Sequence, residues 1–204
     1  MSLTPHALIS AYTQGAFPMR DDSGGPDDVA FYQPRVRAIL PLDDRFRIRR
    51  SLAKRVRNAG FDVRRDTAFE DVIRACARPR LDRHGQPTEG GGVWINRPIR
   101  RAFCHMHRLG FAHSVETWRG DRLVGGLYGL ALGGAFFGES MFSRESDASQ
   151  VALVHLVEHL RDRGFLLLDT QFNNHHINQF GVEEVPHRVY MQRLDIALAA
   201  DVTW

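Results

Sequence analysis

The segment Leu168 to Phe172, LDTQF, closes an apolar run with a carboxylate and an amide. On an extended strand side chains alternate, so Asp169 and Gln171 are predicted to point one way and Thr170 the other. Such groups are costly to bury without partners. They mark either a strand reaching its polar loop or a functional pair, in which Asp169 orients Gln171 by a hydrogen bond and Gln171 accepts from an attacking amine. The second candidate is Gly138 to Ser143, GESMFS. Alternation places Glu139, Met141 and Ser143 on one face. A charge between Phe137 and Met141 requires a partner there, so Glu139 is an ion-pair member or a site residue. Ser140 lies outside any G-x-S-x-G elbow because Phe142 fills the last position, which argues against a serine hydrolase.

Other patterns carry less. His155-Leu-Val-Glu158-His159 matches H-x-x-E-H, with both imidazoles on one helix face. No third ligand is evident nearby, so no metal is expected. His105/His107 and His175/His176 are weaker pairs still. The glycines of RLVGGLYG and ALGG belong to neither a Walker loop nor a dinucleotide fingerprint. Glycine within a strand marks a bulge or close backbone approach, here a hint of a ligand cleft.

Between Arg35 and Arg83 there are fifteen Arg or Lys against seven Asp or Glu, in a chain whose net charge is only +3. That imbalance presents a field to something anionic. Within RRSLAKRVRNAG, Arg50, Lys54 and Arg57 share one helical face, and Leu52, Val56 and Ala59 the opposite one. A basic stripe opposite an apolar stripe is either a solvated face or a phosphate-binding one. Its setting favours phosphate. RNA, DNA or a phosphorylated cofactor would satisfy it.

The elements that must position these residues follow from periodicity and punctuation. Thr4-Pro5 opens a helix ending at Gly15, and FDVRR reads as a strand. Thr67 is expected to cap a helix through Ala77. Residues 79 to 92 form a turn-rich loop or lid. Asn96 caps a helix from Arg97 to Leu109. HSVETW, RLVGGLYGLAL and AFFGESMFS form a three-strand antiparallel meander, followed by a helix from Ala148 to Arg163 stopped by Gly164. FLLLDTQF is a short buried strand; a helical turn, a strand near Val185 and a helix to about Ala200 complete a mixed α/β layer. A chain of 204 residues, 43% hydrophobic and 25% charged, can bury a core as one domain with a small appendage. Disordered and low-complexity classes are excluded. No stretch is long and apolar enough to span a bilayer, the start is no signal peptide, and Cys76 and Cys104 make no disulfide framework. A soluble cytoplasmic protein is expected.

AYTQGAFPM, WIN at Trp94 to Asn96, LGFAHSVETWRGDRLVGGLYG, GGAFFGESMFSRESDASQVALVHLV and LLLDTQFNNHHINQFG together resemble the bacterial leucyl/phenylalanyl-tRNA–protein transferases. The likeness runs over most of the chain in the family's order. It implies transfer of Leu or Phe, with Met as a further donor, from charged tRNA to an N-terminal Arg or Lys of a protein, creating an N-end rule degradation signal. It also implies the α/β fold of the acyl-CoA N-acyltransferases (GNAT-like), with a truncated small N-terminal domain. Residues 1–60 would form the short N-terminal region with the basic tRNA-facing helix, and 61–204 the catalytic domain.

By the same resemblance Asp169 and Gln171 are the catalytic pair and Glu139 a supporting carboxylate. Phe136, Met141 and Ser143 lie near the aminoacyl side-chain pocket, Trp94 stacks on the terminal adenosine, and Asn174 joins the site. Arg50, Lys54 and Arg57 face the acceptor stem. Met19 and Tyr32 stand where longer members carry Trp, which implies a weaker grip on the tRNA end. Aminoacyl-tRNA is the donor substrate, so no cofactor is expected. The alternatives are an acyl-CoA-dependent N-acyltransferase, which needs a pyrophosphate loop the sequence does not display, and a non-catalytic RNA-binding module.

Overall fold

The computed structural model describes residues 3–79 and 94–204. The expected loop or lid at 79 to 92 lies outside them but for residue 79. Thr4 accepts the Ala7 N–H at 3.2 Å and starts α1 (Pro5–Thr13). β1 (Phe17–Arg20) and β2 (Val29–Tyr32) form a separate antiparallel hairpin. The chain then enters the main sheet with β3 (Val36–Leu40) and leaves it for α2 (Arg50–Asn58). β4 (Asp62–Arg65) and α3 (Phe69–Cys76) follow.

The cap expected of Thr67 is not made. Its hydroxyl donates instead to Glu116 at 2.8 Å, because that fully buried carboxylate needs donors; Ser114 Oγ supplies another at 2.5 Å. α4 (Arg97–Arg108) is capped by Asn96, whose Oδ1 accepts the Ile99 N–H at 3.2 Å. β5 (Ala112–Arg119), β6 (Arg122–Leu132) and β7 (Ala135–Ser143) are the expected meander, and α5 (Ala148–Arg163) the expected helix ending at Gly164. β8 (Leu167–Asp169), the short α6 (His175–Asn178), β9 (Glu183–Pro186) and α7 (His187–Leu198) complete the chain.

The seven-stranded sheet has the order β4-β5-β6-β7-β8-β3-β9. All neighbours are antiparallel except β7 and β8. It is an open mixed sheet with helices on both faces. β3, from early in the chain, is inserted between two of the last strands. Alternation sorts the core accordingly. Tyr128, Leu130 and Phe137 pack with Tyr12, Phe103 and Tyr190 of α1, α4 and α7 on one face. Leu127, Phe136 and Leu168 pack with Leu52 of α2 and the apolar stripe of α5 on the other.

Candidate active site

The site forms where two strands part. β7 and β8 pair in parallel only from Ala135↔Leu167 to Phe137↔Asp169. β8 then stops, while β7 runs on to Ser143. At the parting Tyr128 pairs with Ser140 and Gly129 with Gly138, so Glu139 is the extra residue of a β-bulge. The inserted residue breaks the alternation expected for GESMFS. Glu139 turns to the face that holds Tyr12, whereas Met141, opposite Leu127, lies with the other cluster.

Glu139 is buried, and its Oε1 accepts the Tyr12 hydroxyl at 2.6 Å. Burial is the largest influence on it. The Tyr12 hydrogen bond opposes that, the nearby Asp169 charge reinforces it, and the carboxyl is pushed up to about 8. At neutral pH it mostly keeps its proton.

Asp169 is a fully buried carboxylate with a full set of donors. Arg37 of β3 grips both oxygens, with Nε at 2.9 and 3.0 Å and Nη2 at 2.7 Å. The Tyr190 hydroxyl donates to Oδ2 at 2.8 Å and the Gln171 N–H to Oδ1 at 2.8 Å. Arg37 is equally buried. Its guanidinium lies between the rings of Phe17 and Tyr190, 4.7 and 4.5 Å from their centroids, and donates to Gly15 O at 2.8 Å. Burial disfavours the Arg37 charge, but Asp169 more than offsets it and raises the guanidinium's pKa.

Gln171 does not continue the strand. Its backbone is left-handed at φ 57°, a conformation costly for a residue with a side chain. The bond to Asp169 and the acceptance of the Ala38 N–H by Gln171 O, at 3.1 Å, hold it there. Asp169 thus orients Gln171 through the main chain, and not as two side chains on one strand face. One orientation of the amide gives a single long contact from nitrogen to Glu139 Oε1 at 3.5 Å. The reverse lets the nitrogen donate to Gly138 O at 2.9 Å and Thr170 O at 3.1 Å. Two short bonds outweigh one long one, so the nitrogen is committed to the backbone and the oxygen turns to the Glu139 side.

Comparison with known proteins decides the family. Residues 39–195 match the description "Leucyl/phenylalanyl-tRNA protein transferase", and residues 1–35 that of its N-terminal domain. The chain belongs to the leucyl/phenylalanyl-tRNA–protein transferase family. It is 50% identical to the protein of that name from Akkermansia muciniphila over 196 residues, covering 96% of each chain. It is 52% identical to that of Phenylobacterium zucineum, covering 95% of this chain and 83% of the other. For Gloeobacter violaceus the identity is 50%, over 98% of this chain and 96% of the other. The protein is an enzyme, an aminoacyltransferase.

The remaining residues predicted for a transferase site fall into separate groups. Phe136 and Met141 share the α5 face of the sheet. Ser143 is exposed at the start of α5, where its Oγ accepts the Ser149 N–H at 2.9 Å. Met19 and Trp94 both pack half-buried against the α1–α4 cluster, and Trp94 O accepts the N–H of Arg20, the residue after Met19, at 3.1 Å. Asn174 spends its side-chain oxygen capping α6, accepting from His176 N and Ile177 N at 2.9 and 3.2 Å. Arg50, Lys54 and Arg57 are exposed along α2, whose Leu52 is buried beneath them.

His155 contacts Glu158 at 3.2 Å, while His159 packs edge-on against Trp204. Among the described residues no three His, Cys, Asp or Glu converge to hold a metal, and no helix is long and apolar enough to cross a membrane. The strand glycines face protein: a Cβ at Gly125 would strike Ala148, and one at Gly129 the Phe136 ring.

Three residues central to this geometry were absent from the sequence expectations. Arg37 was counted only within the basic segment, although an arginine inside the apolar run VRAIL requires a buried anion. Asp169, in an equally apolar run, is that anion. Tyr12 and Tyr190 carried no comparable signal, because each lies on a helix whose burial hides the hydroxyl's role.

Proposed function

We propose that this enzyme moves Leu or Phe, with Met as a further donor, from charged tRNA to the α-amine of proteins that begin with Arg or Lys. The observation that carries the reading is the neutral polar cluster of Glu139, Gln171 and Asp169 at the parting of β7 and β8. Attack by an amine requires its uncharged form, and an α-amine has a pKa of about 8. A bare carboxylate beside it would hold it as ammonium. Here Asp169 is neutralised by Arg37, and Glu139 keeps its proton at neutral pH. The Gln171 oxygen is then the acceptor that aligns the amine.

Nitrogen bonds to the ester carbonyl carbon, the ester C–O bond breaks, and the proton released by nitrogen ends on the ribose oxygen of the departing tRNA. The ester is already activated, so the step calls on no cofactor. Phe136 and Met141, across the sheet, suit the donor side chain. Trp94 and Met19 suit the terminal adenosine, and α2 the acceptor-stem phosphates. The splayed parallel pair and the flanking helices support a GNAT-like architecture. Residues 1–60 would carry the tRNA-facing helix and 61–204 the catalytic domain, with β3 lending Arg37. The product would be an N-end rule signal made in the cytoplasm.

An acyl-CoA donor is disfavoured at the α5 N-terminus. Ser143 Oγ already accepts the Ser149 N–H there. The test is a transfer assay with leucyl-tRNA and a peptide beginning with Arg, followed by mass. A leucine-sized gain, absent for a peptide beginning with Ala, is expected. No gain with leucyl-, phenylalanyl- or methionyl-tRNA would overturn the reading.

A further inference from the structure

We propose that Phe172 is a specificity-determining residue, the aromatic wall on which the side-chain cation of the acceptor's first residue rests while its α-amine is held at Gln171. The inference deepens the reading of the acceptor as a chain beginning with Arg or Lys, and it stands on that reading. Phe172 directly follows Gln171 and is 48% exposed, at the edge of a cluster that is otherwise buried. β8 has ended at Asp169, and the left-handed backbone of Gln171 turns the chain. The Phe172 N–H donates back to Thr170 O at 2.7 Å, so the turn is tight.

The ring is placed by the buried site itself. It meets Phe17 edge-on, with centroids 5.6 Å apart and planes at 81°. The Phe17 ring carries the Arg37 guanidinium at 4.7 Å, and Arg37 grips Asp169. Tyr190, Arg37, Phe17 and Phe172 thus form a series that runs from the buried carboxylate to the surface. In the β1–β2 hairpin Phe17 pairs with Tyr32, which is also exposed and lies beside it on the same face. Phe172 is therefore the end of an aromatic patch bordering Gln171, and not an isolated apolar side chain at the surface.

An acceptor that begins with Arg or Lys brings two basic groups, and the site must treat them oppositely. The α-amine has to lose its proton to attack, while the side chain stays charged. A free carboxylate serving the side chain would also stabilise the ammonium form of the amine. The cluster offers none: Asp169 is spent on Arg37, and Glu139 keeps its proton at neutral pH. A ring face attracts a cation through its quadrupole, without the full charge of an anion. The reach agrees. Consecutive Cα atoms are about 3.8 Å apart, and an extended Arg or Lys side chain spans about 6–7 Å, so an amine at the Gln171 oxygen leaves the cation within range of the next ring.

The experiment measures steady-state transfer from leucyl-tRNA to peptides beginning with Arg or Lys. It compares wild type with Phe172→Leu, Phe172→Trp and a protein carrying pentafluorophenylalanine at position 172, which keeps the ring's shape but reverses its quadrupole. Phe172→Leu and the fluorinated ring should each raise the peptide KM about threefold to tenfold, with kcat and the KM for leucyl-tRNA unchanged. Phe172→Trp, with the stronger quadrupole, should lower the peptide KM below that of wild type. A merely structural role would lower kcat through the active fraction and leave the peptide KM unmoved, which would overturn the proposal. A rise for Phe172→Leu but not for the fluorinated ring reduces the contact to apolar packing and also overturns it. So does a rise in the KM for leucyl-tRNA in place of the peptide, which would give the ring to the donor. Wild type that fails to transfer to either peptide overturns instead the acceptor reading beneath it.

Discussion

Glu139 gives the sharpest quantitative test, because replacing it with Gln keeps the shape and removes only the ionisation. The carboxyl titrates near 8 in the fold against about 4.5 when exposed. The native state therefore holds a proton that the unfolded chain has released between those values. Stability is complete below about 4.5 and is lost as pH rises toward 8. At about 1.4 kcal/mol for each tenfold difference in proton affinity, the loss by pH 9 is roughly 5 kcal/mol. For a chain of this length that is about 10–20 °C in Tm.

Glu139→Gln carries no proton to lose, so its advantage over wild type should grow from pH 5 to pH 8 and then level off. Thermal or urea unfolding of the two proteins at unit steps from pH 5 to 9 measures it. A difference that stays flat across that range, or that shrinks as pH rises, would refute the argument. Tyr12→Phe sharpens the comparison. It removes the hydrogen bond that favours the ionised form, so the pH at which the loss levels off should move up.

Other expectations follow from the same contacts. Asp169→Ala strands the Arg37 charge in the interior and should cost about 3–5 kcal/mol, read by urea unfolding, as well as abolishing transfer. Asp66 is opposed by burial, but the hydrogen bonds from His113 and the Ser114 N–H prevail and hold its carboxyl below the usual range. Its contribution is present above the unfolded value near 4 and fades as pH falls through the folded one. Asp66→Asn should therefore be less stable at pH 7 and lose less on acidification to pH 3, as thermal melts would record. Replacing Arg50, Lys54 and Arg57 together with Gln should reduce the slope of log tRNA affinity against log salt by about 2–3, measured by filter binding. An unchanged slope would remove α2 from the tRNA interface.

The elements were largely legible because punctuation and periodicity agreed: Thr4-Pro5, Asn96, Gly164 and the meander turns all fall where their chemistry places them. Of the cluster at the parting of β7 and β8, the sequence singled out Glu139, Asp169 and Gln171 but not their geometry. Alternation assumes an unbroken strand, and it failed at both places that matter. At Glu139 one inserted residue reverses every later side chain of β7. At Gln171 the backbone leaves the β region altogether. Gly138 and Gly129 flank the first departure and hint at a bulge without fixing its place, while no glycine or proline announces the second. Arg37 was hidden for another reason: in a segment dense with exposed arginines, composition cannot single out the one whose partner lies 132 residues away.

That separation has a consequence during synthesis. β3 takes its place only when β8 and β9 exist to flank it. At a ribosomal rate of about 5–20 residues per second, Arg37 waits roughly 7–26 s for Asp169 to be made. Throughout that interval the early third of the chain has an apolar strand with two open edges and an arginine without its counter-charge. The sheet must be completed last at its β9 end, beside the candidate site. Protease challenge of stalled nascent chains, released before and after residues 167–186 have cleared the ribosome, should show residues 36–40 protected only in the longer ones.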